Sequence, residues 1–466
     1  MKFGGSALGM TVGLTQMLGI VLHEYELRAR LLLIVSALDG VTDQLIEAAR
    51  LAELTQRRGF RRIVATLRQR HLSLIEHLPL GQAERSTLQA DIDRLLFDML
   101  DACESLSEHP AGTIEREAQV DAIVGVGERL AARIVAALIR AKGLRAVAID
   151  TIDLIITDNV YGHATPNFQL TRERLLAQLT PLLERQIIPV ITGFIGSTQT
   201  GRPTTLGRGG SDLTASLVAA SIQADEVCIW TDVDGVMSAD PREIPDAHVI
   251  PELSYDETAE LAYFGARLLH ERMIEPLRAA RIPLRVRNIF RPHAPGTVIR
   301  DHTRTGRTSV KAVASTLGLI CHCNQRSPLH PIAALVDDAL FDLTGARADV
   351  LITLQSSSQS LAAFVIPLSA GPDALHSLQD RVTDMLEAQG LTHWSVGHVA
   401  VITAVGAGIG DDAPTIGQIN ARLHGIPILA MRGGRGVCSY SVLVDPAHIE
   451  SALTQIHDLI ASGTQG

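Results

Sequence analysis

An α/β fold with a largely parallel sheet between helical layers, followed by a pair of small α/β modules, is predicted by three observations. From residue 1 to about 300, apolar runs of strand length alternate with Ala/Leu-rich stretches of helical period. That is the pattern of strands joined by crossover helices. Glycine-rich or polar clusters follow several of those runs, at the strand ends where α/β sheets hold ligands. Beyond residue 309 the order strand, helix, strand, turn, strand, helix occurs twice, each copy about 70 residues long, as expected of paired ferredoxin-like modules.

In chain order, the strand candidates of the first region are LLLIVS (31–36), RAVAID (145–150), IIPVITG (187–193), EVCIWT (226–231) and PLRVRN (283–288). Gln44 to Ser107 reads as long helices, with RRGFRR (57–62) as a solvated basic face. Residues 291–309 are rich in Pro, Gly, Thr and charge and read as a domain exit and linker. The first repeat runs through LGLICHCN, HPIAALVDDALF, ADVLITLQ, SQSLAAFVIP and DALHSLQDRVTDMLE. The second runs through HVAVITAVG, PTIGQINARLHG, IPILAMRG, GVCSYSVLVD and AHIESALTQIHDLI.

Composition bounds the function. The 466 residues suggest two to four domains at roughly 150 residues each. Apolar residues at 46% supply large cores and exclude a disordered chain. A net charge of −10 with 3% aromatics argues against nucleic-acid binding. The five cysteines lack metal spacing. Cys321 and Cys323 fall on one face of a strand and read as buried thiols of a reduced, cytoplasmic protein. Glycines break the apolar run of residues 1–22, so we expect a loop and a helix there rather than a signal peptide. No stretch has the roughly 18 apolar residues of a membrane span. The chain has three lysines, Lys2, Lys142 and Lys311, and its other basic residues are arginines.

Five clusters carry candidate chemistry. KFGGS (2–6) sets a lysine before two glycines and a helix, a cation with bare backbone donors that suits a phosphate. VSALDGVTD (35–43) offers Ser36 and Thr42 as ligand donors, and taken by itself a turn followed by a Thr helix cap explains it better. GVGERLAAR (125–133) puts Glu128 at a helix start, where a carboxylate is favoured whatever its role. TTLGRGGSD (204–212) combines glycines at a helix start with Arg208, able to fork onto a carboxylate, and Asp212, able to orient an ammonium or a metal. WTDVDGVMSADPR (230–242) lacks the ligand spacing of a calcium loop and suits a ribose and phosphates better.

In order, KFGGS, VSALDGVTD, GERLAA, GFIGSTQTGRPTTLGRGGSD, IWTDVDGVMSADPR, FGARLLH and RNIFRPHAPGT resemble the landmarks of the aspartate kinases, a branch of the amino-acid kinase family with C-terminal ACT domains. The resemblance spans nearly the whole chain. It implies a three-layer αβα kinase domain at 1–300, a linker and possible shared strand at 301–316, and ACT domains at 317–391 and 392–466. It also implies phosphorylation of the side-chain carboxylate of L-aspartate by ATP with Mg²⁺, with lysine and/or threonine as effectors and a homo-oligomer formed through the ACT domains.

By the same resemblance, Lys2 and Asp212 are catalytic, and Ser36, Thr42, Glu128, Arg208 and Ser211 contact aspartate. Lys2, Phe3, Gly4, Gly5, Thr231, Asp232, Met237, Arg242, Arg267 and Leu268 hold the nucleotide, and no protein metal cluster is implied. Arg267 stands where the family commonly has a lysine, and Met237 where an aromatic is common. Two competing readings are an inactive homologue that senses amino acids through its ACT domains, and a kinase for another amino acid such as glutamate.

Overall fold

Short apolar runs pair in parallel to build the first sheet. The computed structural model describes residues 1–28, 30–109, 112–265, 271–301, 309–344, 347–366 and 374–463. They form two compact units, Met1–Val236 with Leu269–Asp301, and Met237–Leu268 with His302–Gly466. Residues 237–268 are thus grouped with the C-terminal part of the chain.

In the first unit the strand order is Ala146–Ile149, Ile188–Thr192, Leu33–Val35, Lys2–Phe3, Val227–Thr231, Leu284–Asn288, Thr297–Arg300. All neighbours are parallel except the last pair. All five apolar runs expected as strands are therefore strands. Side chains alternate across the sheet. Phe3, Leu33, Val35, Ile188 and Val190 join the core that holds the helix Val126–Arg140. Lys2 is in register with Ile34 and Ile229, so it turns to the other face, where the helix Gly210–Ile222 lies. Helices on both faces make the three-layer αβα arrangement. The polar GSTQTGRPTT stretch, which has no apolar run, folds as two further strands, Ile195–Thr198 and Pro203–Thr205.

The second unit holds one antiparallel sheet ordered Asp349–Gln355, Ser360–Val365, Ala312–Cys323, Ser395–Val405, Ser439–Val444, Ile428–Arg432. Each repeat contributes three strands, and the repeats meet at the long central pair from Ala312↔Val405 to His322↔Ser395. Residues 312–316 begin one of these central strands. Cys321 and Cys323 share one core with Leu319 and Phe364. In the same unit Lys311 lies 2.9 Å from the fully buried Glu257. Glu257 also closes a capping box with Ser254 at the start of the helix Tyr255–Tyr263. Among the described residues no helix is long and apolar enough to cross a membrane.

Candidate active site

The loops after the central parallel strands of the first unit converge on one cation. Lys2 belongs to the innermost strand, and its Nζ lies 2.6 Å from Asp212 Oδ1, with side-chain exposures of 11% and 16%. Asp212 occupies the first turn of the helix Gly210–Ile222. The residue before that helix, Gly209, has φ 72°, a left-handed turn that glycine takes without steric cost. The chain leaves the Lys2 strand through Gly4, whose N–H donates to the Trp230 carbonyl. A Cβ on Gly5 would come within 2.8 Å of the Ala37 carbonyl oxygen, so the two loops touch backbone to backbone.

Glu128 reaches this junction from the first turn of Val126–Arg140. Its Oε1 accepts from the Ala37 N–H at 3.1 Å, so it grips a neighbouring loop. Its Oε2 is buried with no hydrogen-bond donor among the described residues. Burial pushes this carboxyl up to about 8, against the pull of the Ala37 N–H, its own backbone N–H and the Lys2 charge. A buried acceptor left open at a ligand edge is a vacancy for a donor such as an ammonium group.

Gly193 and Ser211 are a second close approach. A Cβ on Gly193 would sit 2.5 Å from Ser211 Oγ and 2.9 Å from its Cα. The next residue, Phe194, has φ 70°, a strained value for a bulky side chain. It is held there by donation of its N–H to Thr214 Oγ1 at 3.1 Å. Such strain is common where backbone must approach a ligand.

The structure brings Lys2, Gly4, Gly5, Glu128 and Asp212 together, and Ser36 is tied to the same junction by its N–H to the Phe3 carbonyl. Thr42 is half-buried in the first turn of the helix Val41–Glu53. Arg208 is exposed, and no described residue pairs with its guanidinium. Thr231 ends the strand Val227–Thr231, and its hydroxyl donates to Asp232 at 3.0 Å. Met237 and Arg242 fall in the second unit, where Arg242 is held by Asp240 two residues away. Arg267 and Leu268 lie outside the described residues.

Three residues to which the sequence reading gave no role brace the loops around these clusters. Asn288 donates to Asp234 at 2.7 Å and to the Asp232 carbonyl at 3.2 Å, and Arg291 meets Asp234 at 2.7 Å, fixing the loop after Thr231. Asp121, buried on the helix Ile114–Val124, accepts from Thr205 and Gly162. The aspartate-rich loop hinted at the first group. Nothing local marks Asp121.

The family model for the amino acid kinase family matches residues 1–288. The bifunctional aspartokinase/homoserine dehydrogenase 2 of Arabidopsis thaliana is 30% identical over 87% of this chain and 44% of its own length. The chain thus spans under half of the bifunctional relatives it matches. The lysine-sensitive aspartokinase 3 of Escherichia coli is 33% identical over 65% of this chain and 64% of its own. The E. coli aspartokinase III structure in complex with lysine and aspartate superposes with TM-score 0.78 at 26% identity, covering 98% of each chain. The Clostridium acetobutylicum aspartate kinase, at 22% identity and TM-score 0.77, shares the fold. With a lysine–aspartate pair at the heart of a parallel sheet, glycine turns around it and a family model covering more than half its length, this chain belongs to the amino acid kinase family.

Proposed function

We propose that this protein is an aspartate kinase: it phosphorylates the side-chain carboxylate of L-aspartate with MgATP to give 4-phospho-L-aspartate. The nucleophile is a carboxylate, ionised at neutral pH without help. The task left to the protein is to hold two anions together and screen their repulsion. The observation that carries this reading is the Lys2–Asp212 pair with the open Oε2 of Glu128 beside it. A fixed cation and an unfilled acceptor suit an amino acid brought up to a phosphate.

The residues present fit a nucleotide phosphate. Gly4 and Gly5 leave bare backbone beside Lys2, and a Cβ on Gly4 would lie 3.8 Å from Nζ. Lys2, Phe3, Gly4 and Gly5 would cradle the phosphates, with Thr231 and Asp232 toward the nucleoside. Asp212 offers carboxylate oxygen to a hydrated Mg²⁺, the hard donor that ion prefers. When bound, MgATP supplies the phosphoryl group. Lys2 stabilises charge on it, Asp212 keeps Lys2 in place, Glu128 accepts from the substrate ammonium and Arg208 clamps its α-carboxylate. Ser36, Thr42 and Ser211 complete the aspartate contacts, and Met237 and Arg242 belong to the nucleotide side.

The two repeats of the second unit are read as ACT domains that bind lysine and/or threonine and join copies of the chain into a homo-oligomer in the cytoplasm. The lysine complex of the E. coli enzyme supports an effector of this class. Hydroxamate trapping with Mg²⁺, ATP and aspartate, repeated with lysine and with threonine, tests the proposal. Turnover with aspartate is expected. A folded protein with no turnover rejects the kinase reading in favour of an amino-acid sensor, and turnover with glutamate alone rejects the substrate.

A further inference from the structure

We propose that Asp121 is a positioning residue that locks the Arg208 loop to the helix pair carrying Glu128, and so sets affinity for the α-carboxylate of the substrate. The inference rests on the aspartate kinase reading for its substrate, and on geometry for its mechanism.

Asp121 is 4% exposed, and three donors from two distant segments converge on it. Its Oδ2 accepts from the N–H of Thr205 at 2.7 Å and of Gly162 at 2.9 Å, and its Oδ1 accepts from the Thr205 hydroxyl at 2.9 Å. Burial pushes this carboxyl up, against the pull of those same hydrogen bonds. A carboxylate suits three converging donors because both its oxygens accept. An asparagine would turn an NH₂ toward one of them.

The positions of the partners give the contact its reach. Thr205 lies three residues before Arg208, and Asp121 lies seven before Glu128. The helix Ile114–Val124 passes through Gly125 directly into Val126–Arg140. Gly125 donates its N–H to the Asp121 carbonyl, and a Cβ there would come 2.6 Å from Ile195, so that joint has no slack. On the other side, the Leu206 N–H donates to the Phe194 carbonyl, and Gly207 turns with φ 74° toward Arg208. No described residue holds the Arg208 guanidinium itself, so its stance follows from the backbone before it, which Asp121 fastens at Thr205 and the Arg272 guanidinium fastens at the Leu206 carbonyl at 2.6 Å. Asp121 thereby spans the two groups assigned to the ends of one amino acid, the carboxylate clamp and the ammonium acceptor.

The test is Asp121→Asn in the full chain. The expected result is a roughly tenfold rise in the KM for aspartate, with kcat and the KM for ATP nearly unchanged, because a misplaced clamp weakens positioning rather than chemistry. In an Arg208→Ala background the same change should have no further effect on the aspartate KM. Backbone amide exchange over residues 205–210 should quicken in Asp121→Asn while the Val126–Arg140 helix stays protected. Thr205→Val, which removes one donor and keeps the shape, should give a smaller shift in the same direction if Asp121→Asn does not fold. An unchanged aspartate KM, multiplicative effects of the two substitutions, or equal losses in kcat and both KM values would overturn the proposal. If the wild-type protein has no aspartate turnover, the kinase reading fails, while the exchange comparison still decides whether Asp121 holds the Arg208 loop.

Discussion

The Lys2 ammonium and the Asp212 carboxylate face each other at 2.6 Å from two elements remote in sequence, the central strand and the start of the Gly210–Ile222 helix. Neither charge is well solvated, so each depends on the other for placement. Lys2→Ala should lower kcat about a hundredfold or more, the cost of losing one donor to transition-state charge at about 3 kcal/mol. Lys2→Arg should restore little, because a planar guanidinium does not replace a compact ammonium. Hydroxamate production by variants with wild-type circular dichroism checks both.

Glu128 gives the ligand-binding equilibrium a pH dependence. With its carboxyl raised from 4.5 to about 8, the free protein holds a proton there at pH 7. An incoming ammonium favours the ionised form, so aspartate affinity should rise with pH up to about 8, by close to tenfold per unit. Stability has the opposite slope. The unfolded chain releases this proton near 4.5 and the folded chain only near 8, so stability conferred at low pH is lost across that window. Glu128→Gln should flatten both dependences, read by isothermal titration and by urea melts at several pH values.

Arg208→Ala should raise the KM for aspartate tenfold or more and leave the KM for ATP near wild type. The residue is exposed and engages no described neighbour, so its loss removes a contact with ligand rather than a structural tie. Initial-rate kinetics with each substrate varied in turn decide the matter. A rise confined to the ATP constant would move Arg208 to the nucleotide side.

Gly193→Ala should impair both folding and activity. The added methyl would meet Ser211 backbone and side chain at 2.5 to 2.9 Å, and the Ser211 backbone is part of a helix that cannot step aside alone. Destabilisation of about 1–3 kcal/mol is expected from such overpacking, measured by denaturant titration, with a fall in kcat as Asp212 is displaced.

Much of this architecture is legible in the residues, for identifiable reasons. Two of the parallel strands are mostly apolar because both faces are covered, so LLLIVS and IIPVITG stand out as strand-length runs. Lys2, Glu128 and Asp212 are visible because glycines or helix starts surround them. Asp121 is invisible because its partners lie 41 and 84 residues away and its own surroundings, QVDAIVG, read as ordinary helix. The strands Ile195–Thr198 and Pro203–Thr205 are hidden by Ser and Thr side chains that are buried and bonded to one another, as Thr157 and Thr204 are at 2.8 Å. The grouping of residues 237–268 with the C-terminal repeats rests on long-range ties such as Lys311–Glu257, which no local pattern announces.

Two of the three lysines are committed to ion pairs with little access to water, while Lys142 is exposed at the turn after the Val126–Arg140 helix. An amine-acylating reagent should therefore tag Lys142 at once and the other two lysines slowly. Peptide mass mapping of the slow tag on Lys2 would then act as a clock for how often the central ion pair opens, a rate that bound ligand should lengthen or halt.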